Sequence, residues 1–170
     1  MPLRLEGHSS GFSKDCLMEP LFAILPDSVA IVDADSKSAI LEQLSALFAR
    51  TWDLDADLVH EFLDEREKLG STGFGRGVAI PHARIPGIQR PVAALLRLNH
   101  PAEFGAADGL PVDLVFGLLS PENSGAAHLH ALAAISRMVR DEDMRDALAD
   151  APDEEAIYGL LTNVSDRDVA

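Results

Sequence analysis

A single cysteine, Cys16, stands among the 170 residues, which excludes an intramolecular disulfide and any thiolate cluster around a metal. Cys16 has no neighbouring histidine or basic pair to activate it and reads as an inert thiol. Basic residues are also scarce. Fourteen Lys and Arg face 28 Asp and Glu, giving a net charge of −14 and a pI near 4.6. Neutralising nucleic-acid phosphates needs clustered cations, so no nucleic-acid partner is expected, and an anionic membrane surface would repel the chain. No apolar run reaches the roughly 18 residues of a membrane span. Met1 to Cys16 lack the basic, apolar and small-residue succession of a secretory signal. A cytoplasmic protein with no direct membrane insertion is expected. Internal repeats are absent, as are a Gly-x-Ser-x-Gly nucleophile elbow and a Gly-Lys-Ser/Thr phosphate loop. If such a protein handles an anion, it does so locally and against its own field. Arginines in apolar company are therefore the residues to follow.

What is present is an ordinary globular balance, 47% hydrophobic and 25% charged, at a length that suits one domain. Residues 1–16 are polar and glycine- and serine-containing, and read as a flexible arm; 17–164 form the expected domain and 165–170 a tail. Val29 to Val32 is a strand candidate, and Asp33 to Ser36 offer helix caps. Ile40, Leu44, Leu47 and Phe48 recur at helical spacing to about Arg50. Asp53 and Asp55 can cap a second helix bearing Leu58, Val59, Phe62 and Leu63. Val92 to Leu98 and Val112 to Leu119 are nearly continuous apolar runs, as in strands covered on both faces, with Asp108-Gly109 as the turn between them. Helical periodicity returns after Pro121, with Leu129, Leu132, Ile135, Ser136 and Val139 in one stripe. It continues, after a break, from Asp141 to Leu148, and Asp153 caps a last helix carrying Ile157, Leu160 and Leu161. Helices around a strand-rich centre imply a single-domain α/β sandwich.

Several residues bear chemistry. Arg66 shares a helix face with Leu58 and Phe62, and a guanidinium at the end of an apolar stripe needs compensation. It either snorkels to solvent or meets an anion; Glu65 and Glu67 lie about 100° away around the helix and are not natural partners. Gly70 to Gly77 is dense in glycine, a pattern that serves either tight turns or the turning of backbone N–H groups toward an anion. His82 follows Pro81, whose fixed φ presents the next side chain stiffly at a strand exit. A neutral imidazole is a capable nucleophile and leaving group, although a structural histidine fits that position as well. His128 and His130, two apart on a predicted helix, point about 200° apart and cannot share a metal, which on helices needs i, i+3 or i, i+4 spacing. His128 borders the apolar stripe, and His130 falls on the wetter side. His8, His60 and His100 are expected in the arm, on a helix surface and in a turn.

The order of these features is more informative than any one of them. The block from Glu65-Arg66-Glu67-Lys68-Leu69-Gly70 through Ser71-Thr72-Gly73-Phe74-Gly75-Arg76-Gly77 to Val78-Ala79-Ile80-Pro81-His82 resembles the conserved block of the fructose/mannitol-type enzyme IIA domains of the phosphotransferase system. Pro111 to Phe116 and His128-Leu129-His130-Ala131-Leu132 match that family too. Within it, the chain looks most like the nitrogen-regulatory enzyme IIA proteins.

The resemblance implies a mixed central β-sheet with helices on both faces, and that His82 takes a phosphoryl group from a phosphorylated HPr-type carrier protein, with Arg66 and His128 beside it. It implies further that backbone N–H groups of Ser71, Thr72 and Gly73 help to bind the phosphate, with no cofactor and no metal. Many relatives follow this histidine with Gly-Lys; here Ala83-Arg84 retains the positive charge. The downstream partners implied are regulatory protein targets. A sugar-specific enzyme IIA serving a separate permease subunit is the alternative within the family, and a pure protein-binding module is the alternative outside it.

Overall fold

The computed structural model describes residues 21–168. The expected arm, residues 1–16, lies outside the described residues. After a 3-10 turn at Pro26–Ser28 come strand β1 (Val29–Val32) and helices α1 (Lys37–Trp52) and α2 (Ala56–Lys68). Four strands follow, β2 (Gly73–Gly75), β3 (Val78–Ala79), β4 (His82–Ile85) and β5 (Val92–Ala102). Then follow β6 (Val112–Pro121), α3 (Ala126–Arg140), α4 (Glu142–Asp150) and α5 (Glu154–Asp168). The last helix thus continues to Asp168, into the 165–170 segment expected as a tail.

The caps fall where short polar side chains permit them. Ser36 Oγ accepts from Ala39 N, Asp55 from Asp57 N and Leu58 N, Asp141 from Asp143 N and Met144 N, and Asp153 from Ala156 N. Asp53 has a different job from the one its sequence suggested: with φ at 54° it closes α1 in the left-handed conformation.

The sheet runs in the order β1-β5-β6-β3-β2, and β4 also pairs with β6. β5 and β6 are antiparallel, whereas β1 runs parallel to β5, and β3 and β4 both run parallel to β6. Residues 78–85 therefore follow one edge of β6 in two pieces, Val78 opposite Leu114 and His82 opposite Leu118. The break is Pro81, which has no N–H to donate but whose carbonyl still accepts from Leu118 N at 3.0 Å. His82 thus opens a strand; the sequence had suggested that it left one.

Helices α1 and α2 cover one face of the sheet, through Ile40, Leu44, Phe48, Val59 and Leu63. Helices α3, α4 and α5 cover the other, through Ile135, Met138, Met144, Leu148 and Ile157. Both central strands are accordingly apolar on both faces. Gly117 of β6 sets the closest approach: a Cβ there would come within 2.7 Å of the Phe48 ring and 2.8 Å of Leu44. With no side chain at that position, Leu44 and Phe48 of α1 pack against the sheet without being displaced.

Three local expectations are corrected. His100 belongs to β5 and not to a turn, because the strand extends past the apolar run to Ala102. Leu129 is 59% exposed, and the inward face of α3 is His128, Ala131, Ile135, Met138 and Val139. On α2 the buried row is Val59, Leu63 and Glu67; Leu58, Phe62 and Arg66 form the half-buried row beside it.

Candidate functional site

The C-terminus of α2, the start of β4 and the first turn of α3 converge on one open cavity of about 660 Å³. It is lined by Arg66, Leu69, His82, Arg84 and His128 among others. Arg66, His82 and His128, far apart in the chain, are thereby brought together. The two imidazoles lie 5.7 Å apart between ring centroids, inclined at 45°.

His82 is half-buried, and its Nδ1 lies 2.7 Å from the carbonyl oxygen of Ile80, two residues back. A carbonyl can only accept, so Nδ1 carries the proton and the lone pair of the neutral ring sits on Nε2. The Ile-Pro step holds this carbonyl in place, since Ile80 N donates to Thr72 O at 2.9 Å and Pro81 fixes the chain beyond. Burial lowers the pKa of His82, and the nearby Arg66 and Arg84 charges add to that; the Ile80 hydrogen bond and the Glu67 charge act in the opposite sense. His128 is 6% exposed, with Nδ1 2.7 Å from Ser120 Oγ at the end of β6. Burial, then the His82 and Arg84 neighbours, push its pKa down to about 4. Both rings are therefore neutral near pH 7.

Arg66 donates from Nη1 to Gly70 O at 2.9 Å and meets no carboxylate within ion-pair range among the described residues. That hydrogen bond anchors one arm of the guanidinium and leaves the rest of the fork beside the cavity. With Arg84 it gives this face a local positive character, offset in part by Glu65, while Lys68 is paired with Asp64 at 2.9 Å. A pocket with two neutral imidazoles and an open guanidinium suits a compact, multiply charged anion that exchanges on and off one ring nitrogen.

Ser71, Thr72 and Gly73, expected to help bind the phosphate, are not among the residues that line this cavity. The N–H groups of Thr72 and Gly73 and both hydroxyls are already engaged. Thr72 N donates to Glu67 Oε1 at 2.8 Å and Thr72 Oγ1 donates to Glu67 Oε2, while Gly73 N donates to Ser71 Oγ at 3.1 Å and Ser71 Oγ to Phe104 O at 3.2 Å. The rest of the glycine-rich stretch is the β2–β3 hairpin, turning at Arg76 and Gly77 with φ of 55° and 83°.

Sequence reasoning missed Glu67. Its buried carboxylate takes both Thr72 donors and pairs with Lys37 Nζ at 2.6 Å. It ties α1, α2 and the loop together at Thr72, whose carbonyl accepts from Ile80 N. The available signal was its spacing of four and eight residues after Leu63 and Val59, the truly buried row of α2. Ser120 was also missed, a fully buried hydroxyl that looked like the end of an apolar run. His128 is buried and His130 exposed, so the two point apart as expected.

A mixed sheet sandwiched by helices thus brings a strand-initial histidine, an arginine and a second histidine to one cavity, the arrangement of a small single-domain α/β protein with an anion-suited pocket. Residues 24–164 match the family model described as phosphoenolpyruvate-dependent sugar phosphotransferase system, EIIA 2, and the chain belongs to this family. It is 47% identical to a nitrogen regulatory protein of Pseudomonas aeruginosa over 138 residues, 81% of this chain and 90% of that protein. A nitrogen regulatory protein of Bradyrhizobium diazoefficiens is 44% identical over 139 residues, 82% of this chain and 88% of the relative. The crystal structure of the nitrogen regulatory protein IIA-Ntr from Neisseria meningitidis superposes with a TM-score of 0.76 at 36% identity, covering 81% of this chain and 94% of that one. No helix among the described residues is long and apolar enough to cross a membrane.

Proposed function

We propose that this protein is a phosphoryl-accepting regulatory component of a bacterial phosphotransferase system. A phosphorylated HPr-type carrier delivers the group to Nε2 of His82, and the phosphorylation state governs which regulatory proteins the domain engages. The observation that carries the reading is the His82 ring itself. Its Nδ1–H is held by Ile80 O, its other nitrogen makes no hydrogen bond among the described residues, and it lines the cavity that Arg66 and His128 share. The names of the relatives, nitrogen regulatory proteins covered over most of their length, support a regulatory output.

The chemistry follows from that arrangement. The lone pair on Nε2 attacks phosphorus as the P–N bond to the carrier's histidine breaks, and the electron pair of that bond returns to the carrier ring. The Nδ1 proton stays where it is. As the His82 ring becomes positive, its hydrogen bond to Ile80 O becomes charge-assisted and strengthens. Arg66 offers donors to the phosphoryl oxygens, each such contact worth roughly 1.5–3 kcal/mol, enough to hold the group without trapping it. Catalysis then consists of positioning and charge stabilisation by this chain's own groups. Leu69, 85% exposed at the cavity wall, gives a docking carrier an apolar foothold.

The test is incubation with a radiolabelled, phosphorylated HPr-type donor. An acid-labile label appears on the wild type and is absent from His82→Ala. Equal labelling of both removes His82 from the role.

A further inference from the structure

A buried serine hydroxyl at the end of an otherwise apolar strand is an oddity. Val112 to Leu119 supplies almost nothing but aliphatic and aromatic side chains, and Ser120 follows with no exposed surface at all. Among the described residues its Oγ has one hydrogen-bond partner, His128 Nδ1 at 2.7 Å. Two arrangements satisfy that distance. In one, Nδ1–H donates to Oγ; the serine proton is then buried with no acceptor, and the His128 lone pair on Nε2 turns toward the phosphoryl site. In the other, the hydroxyl donates to Nδ1, no buried donor is orphaned, and Nε2 carries the proton. Only the second meets the hydrogen-bonding requirement of both groups.

We propose that Ser120 is a positioning residue that holds neutral His128 as its Nε2–H form and so aims a donor at the phosphoryl group on His82. The inference rests on the phosphoryl-acceptor reading of His82 and assigns a division of labour within it. A backbone carbonyl, which can only accept, makes His82 a lone-pair nucleophile. A hydroxyl, which satisfies itself by donating, makes His128 a proton-bearing contact. Two chemically identical rings 5.7 Å apart thus have opposite tautomers and opposite functions. The tautomer matters because His128 is too buried to take a second proton near neutrality.

The experiment needs no phosphoryl donor for its first arm. Long-range nitrogen–proton correlation spectra of the intact chain above neutral pH report each ring's tautomer. The expected wild-type pattern is Nδ1–H for His82 and Nε2–H for His128. In Ser120→Ala, the His128 Nδ1 resonance moves to that of a lone pair without a hydrogen bond, while His82 keeps its wild-type pattern and so reports an intact fold. In the second arm, labelling of Ser120→Ala by the phosphorylated carrier slows by about tenfold, the scale expected when an orienting hydrogen bond behind a contacting histidine is lost. A wild-type His128 in the Nδ1–H form overturns the proposal, as does Ser120→Ala labelling within about twofold of wild type. Failure of the wild type itself to take label at His82 would instead overturn the acceptor reading, leaving the tautomer result standing.

Discussion

The depressed pKa of His128 makes this domain acid-sensitive in a narrow and calculable window. An unfolded chain holds this imidazole near its ordinary value of 6.5, whereas burial in the folded protein lowers it to about 4. As the pH falls through that interval, the unfolded state binds a proton that the folded state refuses. Stability is therefore undiminished above about pH 6.5, declines below it, and levels off with respect to this group below about pH 4. With those two values, His128 alone removes about 2 kcal/mol of stability between about pH 7.5 and about pH 5. His82, shifted in the same direction, adds to the loss. Carboxylates also titrate at the acid end, so the comparison is with His128→Gln, in which their contribution is common to both proteins. Urea denaturation at a series of pH values should show wild type losing about 2 kcal/mol relative to the variant over this interval, at unchanged m-value. Parallel stability curves would refute the claim that the folded site excludes the proton.

Two further outcomes test the scaffold. Glu67→Gln leaves Lys37 without its counter-charge and weakens both Thr72 hydrogen bonds; the expected cost is about 2–3 kcal/mol, read as a lower urea midpoint, and a loss below about 0.5 kcal/mol would show that the loop needs no such brace. Gly117→Ala drives a methyl into Phe48 and Leu44, so melting should fall by the equivalent of about 1–3 kcal/mol, while an unchanged melting temperature would mean that α1 rides higher on the sheet than described.

The architecture was legible because its two longest strands announce themselves. Val92 to Leu98 and Val112 to Leu119 are too uniformly apolar to be anything but central strands, and the helices around them carry plain caps and periodicity. The triad of Arg66, His82 and His128 was legible through the resemblance in motif order, since each alone had an adequate structural reading. Other features depended on rotation and on contacts between distant residues. Reading α2 one position out placed Leu58, Phe62 and Arg66 on the buried face, and hid Glu67, whose partners Lys37 and Thr72 come from either side of the helix. The same one-residue ambiguity set Leu129 inward when it faces solvent. The glycines invited an anion-binding reading because flexibility at Gly70 to Gly77 does not reveal which N–H groups already have acceptors. Ser120 carried no local signal, because its significance lies in a ring eight residues downstream and on another element.

The pairing of His82 with Leu118 has a kinetic corollary. A side chain whose backbone is laced into a sheet cannot swing out to collect its cargo; it is a fixed berth on a rigid quay. On the phosphoryl-acceptor reading proposed above, a donor must therefore come alongside, and turnover should be governed by how fast and how squarely two surfaces meet. Adjusting the rim at exposed Leu69 would then change which visitors are served without disturbing the chemistry at the berth.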